Sequence, residues 1–90
     1  MTTLSELKEL LELKFPNAYF RKGVDFSLDT KDSIWCGCDS IIGKNTKMFN
    51  HNGKQSMYEF GAHKKLCKFV NKYGYFVEAY DCETYFIYKI

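Results

Sequence analysis

Tyr75-Phe76-Val77-Glu78-Ala79-Tyr80-Asp81-Cys82-Glu83-Thr84-Tyr85-Phe86-Ile87-Tyr88-Lys89-Ile90 is the stretch whose reading decides the fold. Phe76, Glu78 and Tyr80 alternate with Tyr75, Val77 and Ala79, and after Asp81-Cys82-Glu83 the alternation resumes from Thr84 through Ile90. Both arms are rich in β-branched and aromatic residues, the composition that suits a pleated, half-buried surface. Two such runs around a short polar break predict a β-hairpin, and with it an antiparallel sheet.

Immediately before the hairpin, Gly61 to Gly74 reads as an amphipathic helix. Its apolar face is Ala62, Leu66, Phe69, Val70 and Tyr73; the other face carries Lys64, Lys68 and Lys72 at i, i+4 and i+8, with Lys65 beside them and no acid to balance them. Like charges at that spacing cost an isolated helix a few tenths of a kcal/mol per pair, which asks for a compensating partner. Gly74 supplies a left-handed stop, and Ser56-Met57-Tyr58-Glu59 has the form of a capping box leading into the helix. Upstream, Asp39 to Lys54 breaks every period: Gly43, Asn45, Asn50, Asn52 and Gly53 predict a long polar connection, with Lys47-Met48-Phe49 as a candidate edge strand. Long loops in compact domains are more often functional than idle.

The first third is read the same way. Thr3-Leu4-Ser5-Glu6 is a capping box, and Leu4, Leu7 and Leu11, widened by Leu10, form one stripe of a helix that Pro16 terminates. Three strands are expected next: Ala18–Arg21; Val24, Phe26 and Leu28 alternating with Asp25, Ser27 and Asp29; and Ser33–Cys38, with Ile34, Cys36 and Cys38 on one face and Trp35 on the other. The order α-β-β-β-α-β-β predicts one α+β domain over residues 1–90, a mostly antiparallel sheet of roughly four to six strands with two helices on one face. Leu4, Leu7, Leu11, Phe26, Ile34, Leu66, Phe69, Val70, Val77 and Phe86 are the expected core.

The chain has 90 residues, 46% of them hydrophobic and 27% charged, which is ordinary for one globular domain and argues against intrinsic disorder. Its eight Phe, seven Tyr and one Trp cannot all be interior in so small a body, since each buried ring removes about 150–250 Å² from water. A surface cluster of them would be a binding patch. Net charge is +2, so an electrostatic partner must be read by a local patch. No run is long enough to span a bilayer, and Met1-Thr2-Thr3-Leu4-Ser5-Glu6 has neither the basic nor the apolar region of a secretory signal. These features predict a cytoplasmic protein with reduced cysteines and no membrane partner.

Cys36, Cys38, Cys67 and Cys82, with His51 or His63, are the residues from which a zinc site would have to be built. The C-x-C spacing is not the usual C-x₂-C knuckle and no second pair exists, so the cysteines read as small core hydrophobes, and no metal or cofactor is expected. Cys82 sits between Asp81 and Glu83, which would raise its pKa rather than activate it. No nucleophile elbow, phosphate-binding glycine loop or H-E-x-x-H is present, so no enzymatic activity is expected. Lys64, Lys65, Lys68 and Lys72, joined by Lys44, Lys47 and Lys54, could track a phosphate backbone. Arg21 is the chain's single arginine, which makes sequence-independent contact the form such binding would take. A protein partner fits better: Tyr and Phe are strong interface anchors, and the hairpin leaves an edge for strand pairing, including homodimerisation.

The Lys- and Asn-rich, Pro-poor composition and small single-domain size are similar in style to accessory proteins of bacteriophages and mobile elements. That resemblance implies a stoichiometric inhibitor of a host machine, of the anti-CRISPR or another anti-defence kind. Lys64, Lys65, Lys68 and Lys72 are the expected interface, with the 39–54 loop as a second patch.

Overall fold

The computed structural model describes residues 2–90. Helix α1 spans Leu4–Lys14 and begins with the expected capping box: the Glu6 N–H donates to Thr3 Oγ1 at 3.2 Å and the Thr3 N–H to Glu6 Oε1 at 2.9 Å. Strands β1 (Phe20–Lys22) and β2 (Ser33–Cys36) follow, then the two-residue strands β3 (Ile41–Ile42), β4 (Thr46–Lys47), β5 (Tyr58–Glu59) and β6 (Ala62–His63). Helix α2 spans Lys64–Lys72, and the predicted hairpin is β7 (Tyr75–Asp81) and β8 (Thr84–Lys89). The main sheet is antiparallel throughout, in the order β1-β2-β8-β7, with two small hairpins beside it, β3-β4 and β5-β6. This is the expected α+β architecture.

Alternation assigns the two faces. Phe20, Cys36, Tyr85 and Ala79 form one cross-strand row, and Ile34, Ile87 and Val77 another, on the inner face. Both helices cover that face, α1 over β1 and β2 and α2 over β7. Leu7 and Leu11 from α1 and Leu66 and Val70 from α2 are fully buried against Ile34, Tyr85 and Ile87. Leu4, Phe69 and Val77 pack at the margin of this core.

Four expectations need correction. Val24 to Leu28 is not a strand but part of two 3₁₀ turns, Gly23–Asp25 and Leu28–Thr30. Gly23 packs so closely on the Thr30 carbonyl and the Ser33 hydroxyl that a Cβ would collide with both. The Thr30 hydroxyl donates to the Gly23 carbonyl at 2.7 Å, locking the turn where an extended chain was expected. Phe26 consequently leaves the inner core, and Phe86, though fully buried, lies on the outer face beneath it. The capping box at Ser56–Glu59 starts no helix: the chain there forms β5 and β6, and the N-cap of α2 is His63. Strand β2, Ser33–Cys36, ends two residues earlier than expected, so Cys38 lies beyond the strand and is exposed while Cys36 is buried.

The 39–54 segment is also less open than its composition suggests. The Met48 N–H donates to Ser40 O (3.0 Å), the His63 N–H to Met48 O (2.8 Å) and the Asn50 N–H to Gly61 O (2.7 Å). These bonds carry Met48 and Phe49 into the core, where Phe49 stacks on Tyr85 at 4.3 Å between centroids. The candidate edge strand at Lys47–Phe49 is thereby divided between β4, ending at Lys47, and a single bridge from Phe49 to Ala62. Among the described residues no helix is long and apolar enough to cross a membrane.

Candidate interaction surfaces

The outer face of the sheet is the larger candidate. Pairing places Arg21, Trp35, Phe86 and Glu78 in one straight row across all four strands, and Ser33, Tyr88 and Phe76 in the next. Tyr80, at the irregularity between Ala79 and Asp81, joins the same side. The 3₁₀ segment crosses this face and lays Phe26 edge-on against Trp35 (5.1 Å), Phe86 (5.1 Å) and Tyr80 (5.4 Å). Tyr88 continues the cluster from Phe86 to Phe76, at 6.0 Å for each pair. Such pairs add about 0.5–1.5 kcal/mol each beyond their burial, so the cluster is a rigid platform. Neither α1 nor α2 packs on it, and Tyr80 is left 62% exposed, Phe26 37% and Phe76 36%. Arg21 lies over the Trp35 ring at 5.5 Å, so the platform ends in a cation at the β1 edge and in Glu78 at the β7 edge.

The lysine face lies on the opposite side of the molecule, because α2 packs on the inner face of the sheet. Lys64, Lys68 and Lys72 follow one line about 12 Å long, set by the 1.5 Å rise per residue. Lys64 is half-buried and Lys65, Lys68 and Lys72 are exposed. Lys72 folds back over Phe69 (5.3 Å) and Tyr73 (5.2 Å), a cation–π contact that holds it against its own helix. Lys44, in the β3-β4 turn, comes round to share a cleft of about 480 Å³ with Lys64 and Lys65. Lys47 does not: it lines a separate cleft with His51, Cys38 and Cys82, and its carbonyl accepts from the Tyr58 hydroxyl at 2.6 Å. The ion pair found among the described residues is Lys8 to Glu12 (3.2 Å); Lys44, Lys64, Lys65 and Lys68 take part in none.

His63 was visible in the sequence only as a weak metal ligand. Its Nδ1 accepts the Lys65 N–H at 3.1 Å and so caps α2, and its ring meets Tyr58 edge-on at 5.2 Å. Burial, with the nearby Lys65 charge second, holds its pKa below the ordinary histidine value. The cysteines do not gather: Cys36 and Cys67 are buried, Cys38 and Cys82 exposed, and among the described residues no group of three or more His, Cys, Asp or Glu could hold a metal ion. Burial pushes the Cys36 thiol far up and, with the Glu59 charge adding to it, the Cys67 thiol up to about 11. Both are therefore protonated thiols at neutral pH.

Strand β7 is a free edge of the sheet. Among the described residues no backbone hydrogen bond from outside the sheet reaches Tyr75, Val77 or Ala79. The aromatic platform is the surface that sequence reasoning did not assemble. Its signal was present: Phe76, Tyr80, Phe86 and Tyr88 make the second face of the hairpin as aromatic as the first, which is more apolar surface than one helical layer can cover. No protein-family model, no curated protein and no solved structure matches this chain.

Proposed function

We propose that the protein acts by binding, with the outer face of its sheet as the docking surface and a protein as its partner. The observation that carries this reading is the continuous aromatic platform of Phe26, Trp35, Phe76, Tyr80, Phe86 and Tyr88, exposed at its rim and bounded by one cation and one anion. Rigid rings that already touch one another lose little freedom on binding, so they suit interface anchors. One positive and one negative end give a polyanion no net attraction. They fit instead a protein surface that sets a carboxylate against Arg21 and a cation against Glu78. The composition extends the reading to a phage- or mobile-element-encoded inhibitor that occupies a host machine stoichiometrically.

A second reading, sequence-independent nucleic-acid binding, is favoured by the convergence of Lys44 on Lys64 and Lys65. The two separate in one experiment. Tagged wild type, Tyr80→Glu and the triple variant Lys64→Glu/Lys68→Glu/Lys72→Glu are used for capture from nuclease-treated and untreated host lysate. Complexes are then sized by light scattering. Docking through the sheet predicts a defined complex that survives nuclease, persists in the triple variant and disappears in Tyr80→Glu. Material that vanishes with nuclease and with the lysines would reverse the order of the two readings. Dimerisation of the free protein, unchanged in Tyr80→Glu, would point to the β7 edge instead.

A further inference from the structure

We propose that the cleft between the β3-β4 turn and the start of α2 binds a phosphate group. This site lies across the molecule from the sheet face and does not depend on it. Lys44, Lys64 and Lys65, the hydroxyl-bearing Thr46 and Ser56, and His63 are among the residues that line the cleft, and no lining residue is acidic. Lys44 comes from a different element than the other two lysines, so helical spacing alone does not produce the cluster.

His63 supplies an independent observation. The residue is only 7% exposed, and its outer nitrogen is the part left open to solvent, without a protein partner. With Nδ1 accepting from the Lys65 N–H, the ring proton belongs on Nε2, and no hydrogen bond from Nε2 to any described residue is found. A well-packed imidazole with a solvent-open N–H donor thus joins three lysines in the lining of one cleft. The side chains must do the work, because the first backbone donors of α2 are already used: the Lys64 N–H goes to Met57 O at 2.9 Å and the Lys65 N–H to His63. The helix dipole adds a favourable field at this end.

Donor number and charge select the ligand. A carboxylate offers two oxygens and one charge, fewer than the cleft can engage. A phosphate monoester carries about −1.5 to −2 charge and three acceptor oxygens, which suits a site built of ammonium, imidazole and hydroxyl donors. A phosphodiester presents the same chemistry at lower charge, so the free and nucleic-acid-borne forms must be distinguished by experiment.

The test is a ¹⁵N–¹H NMR titration of the whole chain at neutral pH with inorganic phosphate, with sodium chloride of matched ionic strength as the control. The expected result is saturable shifts centred on the backbone amides of Lys44, His63 and Lys65. They should weaken about tenfold or more in Lys44→Gln/Lys65→Gln and change less than about twofold in Lys68→Gln/Lys72→Gln. Both variants alter exposed side chains, and their unperturbed spectra elsewhere establish that each is folded. A second arm uses a short oligothymidylate without a terminal phosphate. Saturable shifts at the same three residues with the oligonucleotide, and none with inorganic phosphate, would assign the site to phosphodiesters. Linear shifts matched by chloride, or equal losses in the two double variants, would overturn the proposal. So would oligonucleotide shifts confined to Lys68 and Lys72 with no response to inorganic phosphate.

Discussion

Tyr75 and Tyr85 are both inward-facing hairpin tyrosines, and the structure gives their hydroxyls opposite circumstances. Tyr75 Oη donates to the Thr2 carbonyl at 2.8 Å and ties the start of β7 to the N-terminus. Tyr85 Oη is buried with no partner among the described residues, crowded against Gly61, where a Cβ would stand 2.5 Å from it. Gly61 has φ +89° as well, so both the backbone and the space exclude a side chain there. Burial and the nearby Cys82, Asp81 and Cys38 raise the Tyr85 pKa, so the group stays neutral. An unsatisfied buried hydroxyl costs about 1–3 kcal/mol, whereas a satisfied one contributes about 1 kcal/mol. Tyr85→Phe is therefore expected to stabilise the protein by up to about 1–2 kcal/mol and Tyr75→Phe to destabilise it by about 1 kcal/mol. Urea unfolding with unchanged m-values would read both. A loss of stability in Tyr85→Phe would mean that an ordered water satisfies the hydroxyl. The alternation in the sequence sorted the hairpin residues onto two faces without saying which is inner, and its expected core held Phe86 rather than Tyr85; no periodicity can say where a hydroxyl ends.

At the level of elements, long periodic segments were legible and two-residue strands were not. Helix α1, with its capping box, and the hairpin follow their patterns because each repeats a period several times. β5 and β6 offer only two residues each, too few to show a period. Ala62 is buried in β6 as it would be on the apolar face of an extended helix, so the pattern could not distinguish the two. The consequence is the cap of α2, where a histidine replaces the expected Ser56 box and makes the helix sensitive to acid. Burial and Lys65 lower the folded pKa of His63, so the neutral ring is favoured in the folded state. The associated stability is present above the unfolded value of about 6.5 and is lost as the pH falls through the folded value. Protonation removes the acceptor for the Lys65 N–H and adds a cation beside Lys44, Lys64 and Lys65; the ring's other neighbour, Tyr58, is uncharged, and Glu59 on β5 acts on the Cys67 thiol. Asn is a good N-cap that does not titrate. Thermal unfolding between about pH 7 and pH 5 should therefore show a steeper fall for wild type than for His63→Asn. Parallel curves for the two proteins would show that the ring does not act as a titrating cap.

For the molecule as a whole, the sheet divides the apolar residues into two unequal bodies. The inner one holds Leu7, Leu11, Leu66, Val70 and Ile87, all fully buried between sheet and helices. The outer one is the aromatic cluster, with Phe26 and Tyr80 packed edge-on over Phe86. Sequence reading found most of the inner leucines and isoleucines because they belong to periodic elements, but it placed Phe26 among them because Val24, Phe26 and Leu28 alternate like a strand. Two tight turns stabilised by Thr30 and Ser33 side chains overrode that pattern. It also left out Met48 and Phe49, whose polar surroundings hid them. The lysine face was legible from helical spacing, whereas the approach of Lys44 depends on the β3-β4 turn and is a tertiary fact. Truncation separates the two bodies energetically. Leu66→Ala empties a fully enclosed site and is expected to cost about 2–5 kcal/mol, a large share of the roughly 5–15 kcal/mol that a domain possesses. Phe26 already borders solvent at 37% exposure, so Phe26→Ala should cost about 1–2 kcal/mol and leave unfolding cooperative. Its binding defect should exceed its stability defect, since it removes a ring from the platform while leaving the inner core untouched. Denaturation midpoints of the two variants, measured together with partner capture, decide the matter. If Phe26→Ala were as destabilising as Leu66→Ala, the outer rings would constitute a second structural core, and their exposure would no longer support a docking surface.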